Sequence, residues 1–311
     1  MKRMRFQLLG GFKSLLFCVL LLIMPTLGMA QNSFMKGQPV YPAFEGWREN
    51  PDGTINFMFG YFNENWEEQH FVPIGEDNFI TPGDPDQGQP TVFFPRRNRF
   101  VFEVTVPSDW GDRELVWTLN INGNEMKAYA TVNPNYVVDN LLIASETGSL
   151  GIGTSSPESR ANTPPELTLE GDDVRAVRVG EALSIVSQVT DDGVPRSRVP
   201  SSMPVDMLKR RMFSPPIKPT VGKINALYVS WNVFRGNGNV SFDPPQTKVW
   251  EDTRAGANSP WGVHWLPPEI PADGMVEVTA TFDEPGTYIL WGRADDGGLY
   301  GDAYITVNVS P

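Results

Sequence analysis

TFDEPGTYILWGRADDGGLYGDAYITVNV, residues 281–309, is the stretch whose reading decides the fold. Apolar residues alternate through it, a glycine corner interrupts it and a closing strand ends it, as expected for the last strands of a two-layer β-sandwich. Alternation with period two sends one set of side chains to a core and the other to solvent. This fixes an architecture and leaves the activity open.

At the opposite end of the chain, Lys2, Arg3, Arg5 and Lys13 precede an apolar run over residues 15–24 and then Gly28-Met29-Ala30. A basic start, a short apolar core and small residues before a cleavage point describe a signal peptide over residues 1–30, cut after Ala30. A spanning helix needs about twenty apolar residues, and Pro25 ends this run early. The one cysteine, Cys18, sits inside the apolar core behind Phe17, where a lipid-attachment motif needs a small residue. The expected mature chain therefore has no disulfide framework, no thiolate nucleophile and no cysteine metal site. Without the four basic leader residues, 21 basic residues face 37 acidic ones, a net charge of about −16, which disfavours nucleic acid as a partner. The sequence reads as secreted or periplasmic, with no transmembrane segment after leader removal.

Between these ends, glycine and proline are frequent and no long run carries apolar residues at three- and four-residue spacing. Short β-branched and aromatic runs alternate instead with turn clusters. Residues 98–106 put Phe100, Phe102, Val104 and Val106 on one face, and residues 114–121 do the same with Leu115, Trp117, Leu119 and Ile121. Asn122-Gly123 offers a hairpin turn into residues 125–132. Residues 54–62, 68–74 and 90–94 read as further strands, so residues 36–145 are expected to form one sandwich. Residues 146–165, rich in Gly, Ser, Pro and Thr, read as a linker. Strands at residues 167–169, 176–179 and 182–189 then open a second domain, residues 166–311.

In this second half the strand SIVSQVTDDGVP (residues 184–195), the strand ALYVSWNVFRGNGNVSF (residues 226–242) and the terminal segment resemble a PKD-type, immunoglobulin-like bacterial domain. The resemblance implies that Trp231 fills the space between two sheets. It also implies that Tyr288, behind a corner marked by Asp283 and Gly286, ties the chain to its own backbone. Two insertions, residues 196–223 and 250–274, depart from the compact family pattern. The expected fold class is all-β, two immunoglobulin-like β-sandwiches in tandem after a signal peptide, and whole chains of this appearance resemble uncharacterised exported bacterial proteins.

Residues that carry chemistry are sparse. There is no G-x-S-x-G, no H-E-x-x-H and no phosphate loop, and the only histidines are His70 and His264. No catalytic residue is assigned. The acidic turns Asp84-Pro85-Asp86-Gln87, Asp191-Asp192-Gly193 and Asp295-Asp296-Gly297-Gly298 offer hard oxygen ligands, so calcium is a candidate at Asp191, Asp192, Asp295 and Asp296. Aspartate–glycine pairs are equally a common way to build a turn. Insertion 250–274 gathers Trp250, Glu251, Asp252, Arg254, Trp261, His264 and Trp265, rings and polar groups suited to a glycan or a protein ligand. The alternative use of those rings is packing between domains. Insertion 196–223 is basic, with Arg196, Arg198, Lys209, Arg210, Arg211, Lys218 and Lys223, and also carries Met203, Met207 and Met212.

Two functional classes follow. The first is an exported non-catalytic binding or adhesion-type protein. The second is a carbohydrate-active or hydrolase-type accessory protein with a site at the domain junction.

Overall fold

The computed structural model describes residues 36–65, 68–147, 157–195, 227–246 and 268–311. The expected leader, residues 1–30, insertion 196–223 and residues 250–267 of the second insertion lie outside them. The described chain is all-β, in two immunoglobulin-like sandwiches.

The first sandwich uses β1 (Val40–Glu49), β2 (Ile55–Asn63), β3 (His70–Phe71), β4 (Asn78–Thr81), β5 (Val92–Phe93), β6 (Arg96–Val106), β7 (Leu115–Ile121) and β8 (Asn124–Ala130). One sheet has the order β1-β2-β6, the facing sheet β4-β7-β8, and β3-β5 forms a short ribbon. In immunoglobulin terms these are strands A-B-E against C-F-G. Trp117 fills the centre, edge-on to Phe59 and Phe102 and stacked on Phe93. Its indole N–H donates to Asn78 Oδ1 at 3.0 Å. The Asn122-Gly123 turn joins β7 to β8 with both residues at positive φ, as a tight hairpin requires.

The second sandwich uses β9 (Glu166–Leu169), β10 (Val174–Arg178), β11 (Ala182–Thr190), β12 (Tyr228–Arg235), β13 (Val240–Asp243), β14 (Met275–Phe282), β15 (Gly286–Asp295) and β16 (Tyr300–Ser310). Its sheets run β13-β14-β11-β9 and β10-β16-β15-β12, with β10 parallel to β16. This is the D-E-B-A and A′-G-F-C arrangement of an immunoglobulin-like domain. Trp231, on strand C, is fully buried. Tyr288, near the start of strand F, donates its hydroxyl to the Glu284 carbonyl at 3.0 Å, which fastens the corner between strands E and F.

Several expectations need correction. Residues 226–242 are two strands in different sheets, because Gly236-Asn237-Gly238-Asn239 turns the chain across the ring of Tyr288. A Cβ on Gly236 would strike that ring and one on Gly238 its hydroxyl, so side-chain-free residues allow the crossing. The strand expected over residues 68–74 reduces to His70–Phe71. Strand β1 lacks clean alternation because Pro42 and a bulge between Phe44 and Gly46 interrupt it, which its edge position tolerates.

The connecting region holds a helix, α1 (Asn140–Thr147), and a single turn, α2 (Pro157–Arg160). Asp139 caps α1 by accepting from Leu142 N–H at 2.7 Å. Ile143 and Ala144 dock the helix on the outer face of β1-β2-β6 beside Met58, and Arg99 links it to that sheet through Glu146 at 3.0 Å. A single buried turn of contact gives too short an apolar stripe to read as a helix in sequence.

Candidate functional site

Two β-bulges, one in each sandwich, build the junction. In β6 the pairing with β2 shifts between Phe59 and Tyr61, and Phe100 takes φ +48°. A left-handed aromatic residue costs about 1–3 kcal/mol. The shift breaks the alternation expected over residues 98–106: Phe102, Val104 and Val106 enter the first core, whereas Phe100 turns outward onto Met58, Ile143 and Leu299. Its ring stacks on Tyr300 of β16, centroids 6.4 Å apart and planes at 29°. In β12 the pairing shifts between Val233 and Arg235. Phe234, 5 % exposed, there joins the core of the first sandwich together with Trp291. The β6 bulge re-aims Phe100, and each sandwich here lends a ring to the other.

Polar groups close the same seam. Arg293 of β15 grips Asp302 of β16 with two bonds of 2.7 and 2.8 Å and also donates to the Phe100 carbonyl at 2.8 Å. Its guanidinium lies 3.7 Å from the Tyr300 ring centroid and 4.5 Å from that of Trp291, an arrangement suited to a planar cation. Arg235 grips Asp86 bidentately at 2.8 and 2.7 Å and donates to the Gln89 carbonyl at 2.8 Å. The Thr91 N–H donates to the Phe234 carbonyl at 3.1 Å, and Gly236 N–H returns a bond to Thr91 Oγ1 at 3.2 Å. Asp86, read in sequence as part of an acidic turn, thus serves the junction.

Along this seam opens a cleft of about 590 Å³. Phe100, Val101, Phe102 and Glu103 of β6 form one wall; Ile289, Asp302, Tyr304 and Thr306 form the other, with Arg48, Phe234 and Arg235 at its borders. Arg48 meets Glu103 at 2.8 Å. Tyr304 is 39 % exposed, its ring edge-on to Phe234 at 5.3 Å. Burial of its hydroxyl, with Asp302 beside it, holds the phenol well above its ordinary pKa, so it remains a hydrogen-bond donor. A second hollow of about 610 Å³ is lined by Val189, Asp191, Leu227 and Ile270, next to the described ends of both insertions.

The sequence-derived site residues divide into two groups. Trp250, Glu251, Asp252, Arg254, Trp261, His264 and Trp265 all lie outside the described residues. The aspartates lie within them, at the ends of β11 and β15, which belong to opposite sheets. Residues 162 and 163 bridge the two turns: Asn162 Nδ2 donates to Asp296 Oδ2 at 3.0 Å, and Thr163 N–H and Oγ1 donate to Asp192 Oδ2 at 3.0 and 2.7 Å. Asp191 and Asp295 accept from Gly193 and Gly297, and Asp296 Oδ1 accepts from Gly298 and Leu299. Turn amides and side chains thus engage one or both oxygens of each aspartate, while Asp191 Oδ1 is buried without a hydrogen-bond partner among the described residues. Among the described residues, no group of three or more His, Cys, Asp or Glu side chains is placed to hold a metal. Asp296 is 1 % exposed, and burial raises its pKa to about 7 against the pull of three N–H donors.

His70 is half-buried on β3, its Nε2 3.3 Å from Asn65 Nδ2 and 3.6 Å from Glu68, and burial lowers its pKa. No described helix is long and apolar enough to cross a membrane.

No family model matches the chain, and no curated protein matches it. Among solved structures it is similar to the PKD domain of human KIAA0319, at 13 % identity over 50 % of this chain and 92 % of that one, TM-score 0.21. It is also similar to the Yersinia pseudotuberculosis adhesin InvE, at 12 % identity over 87 % of this chain and 58 % of that one, TM-score 0.23. A conjugative transposon lipoprotein from Bacteroides eggerthii matches at 10 % identity over 47 % of this chain and 97 % of that one, TM-score 0.26. The immunoglobulin-like assignment rests on this chain's own strand order and register.

Proposed function

We propose that this is an exported, non-catalytic binding or adhesion-type protein whose ligand is held in the cleft between the two sandwiches. One observation carries the reading: both sandwiches line a single cleft beside a seam of interlocked rings and doubly bonded arginines, so the site depends on the two being docked. Clefts between domains, with apolar walls and a few fixed polar groups, are common places for ligands. The leader pattern and the cysteine-free mature chain support export. The tryptophan-bearing insertion 250–274 is a candidate second contact with the same ligand.

The test is retention on glycan and peptide arrays by the purified mature chain, compared with a Thr306→Trp variant that fills the cleft from β16. The reading expects retention without turnover, lost in Thr306→Trp while melting is unchanged. Retention that survives the filled cleft, or hydrolysis of a substrate panel, would overturn it.

A further inference from the structure

We infer that the cleft takes an uncharged oligosaccharide, an inference that rests on the cleft being the binding site. The cations at the cleft are matched by carboxylates: Arg48 with Glu103, Arg235 with Asp86, and Arg293 with Asp302, at 2.7 to 2.8 Å. A charged ligand would have to compete with these pairs; parting Arg293 from Asp302, with side chains 11 % and 17 % exposed, is the costliest such step, and the more exposed Arg48–Glu103 and Arg235–Asp86 pairs cost less to open. A hydroxyl group faces no such conflict. It donates and accepts at once, so it can bond to a carboxylate and a neighbouring guanidinium without separating them. Sugars present such hydroxyls in adjacent pairs, so one can accept from a remaining guanidinium N–H while its neighbour donates to a remaining carboxylate lone pair.

The apolar surface fits the same ligand. Tyr304 offers an exposed ring backed by Phe234, a flat face for the C–H side of a sugar ring, while its hydroxyl points among the charged groups. The volume lies within the roughly 300–1,000 Å³ of small-ligand clefts. An extended peptide is the competing occupant, since β6 is the outer strand of its sheet. Two features oppose it. The Phe100 carbonyl on β6 is already held by Arg293, and β16 is paired with β15 from Tyr300 to Val309 and with β10 from Thr306 to Ser310. Strand addition needs open backbone groups.

The experiment is calorimetric titration of the purified mature chain with three sets of probes. These are neutral pentasaccharides built on glucose, xylose, mannose or N-acetylglucosamine; an oligogalacturonate of the same length; and extended peptides of acidic, basic and neutral sequence. At least one neutral saccharide should bind. Its Kd should rise at least about tenfold in Tyr304→Ala, less in Tyr304→Phe, and stay constant between about 0.05 and 0.5 M NaCl, because no counter-charge is engaged. Binding confined to the galacturonate or to a peptide, and lost in Tyr304→Ala, would overturn the ligand class and leave the cleft as the site. Neutral-sugar binding indifferent to both Tyr304→Ala and Thr306→Trp would overturn the cleft itself. An absence of binding across all neutral saccharides would also overturn the inference.

Discussion

Replacing Asp296 by asparagine should remove much of a pH dependence built into the turn between β15 and β16. Asp296 is 1 % exposed and holds the turn by accepting from Gly298 and Leu299, while its other oxygen receives Asn162 Nδ2. Burial raises its pKa from 3.8 to about 7. The folded chain therefore keeps a proton between about pH 4 and 7 that the unfolded chain has released, so stability falls as pH rises through that window. Each pH unit across it is worth about 1.4 kcal/mol, which caps the loss at about 4 kcal/mol by pH 8.

In Asp296→Asn the amide oxygen can still accept from Gly298 and Leu299. Its NH2 can donate to Asn162 Oδ1, a buried atom without a partner, once that side-chain amide turns over. Urea unfolding of both proteins from pH 5 to 8 should show the variant more stable by about 2–3 kcal/mol at pH 8, with the gap closing toward pH 5. Asp191, also raised by burial, slopes the same way in both proteins, and His70, lowered by burial, slopes oppositely below about pH 6.5 in both. The comparison cancels them. Parallel pH profiles, or a variant less stable than the parent at pH 8, would refute this account of the turn.

Other outcomes follow from the same geometry. Arg293→Met should destabilise by about 1–3 kcal/mol in urea unfolding, because Asp302, partly buried on the cleft wall, loses both bonds from the guanidinium. A double-mutant cycle on Phe100→Ala and Tyr300→Ala should return a coupling of about 0.5–1.5 kcal/mol, the value of one stacked ring pair across the seam. Tyr288→Phe should cost about 1 kcal/mol by losing the bond to the Glu284 carbonyl. Trp261→Ala and Trp265→Ala should weaken ligand retention without lowering the melting temperature. A loss of stability instead would make those rings part of the packing.

The second sandwich was legible because its core residues repeat with period two along strands eight to eleven residues long, and because Trp231 and Tyr288 sit where such sandwiches place them. The junction was not. Phe100 lies in an alternating run that assigns it to its own core, and only a bulge, which leaves no mark in a single sequence, turns it outward; Phe234 alternates away from Val229, Trp231 and Val233, onto an outer face that only the docked structure shows to be covered. Arg235 and Asp86 are 149 positions apart, and nothing local pairs them. The acidic turns were visible as turns, but the bonds from Asn162 to Asp296 and from Thr163 to Asp192 join residues 134 and 29 positions apart, which nothing local pairs. Helix α1 escaped notice because its docking uses Ile143 and Ala144, too few apolar positions for a helical period.

The docking of the two sandwiches is tested most directly by amide hydrogen exchange at Thr91 and Gly236, whose N–H groups are bonded across the seam to the Phe234 carbonyl and the Thr91 hydroxyl. Both amides should be protected in the folded protein, and Arg235→Ala, which removes the grip on Asp86 and Gln89, should speed their exchange together while the Trp117 amide inside the first sandwich is unaffected. Exchange at Thr91 and Gly236 as fast as in an open loop, in the unaltered protein, would contradict a docked pair and with it the cleft.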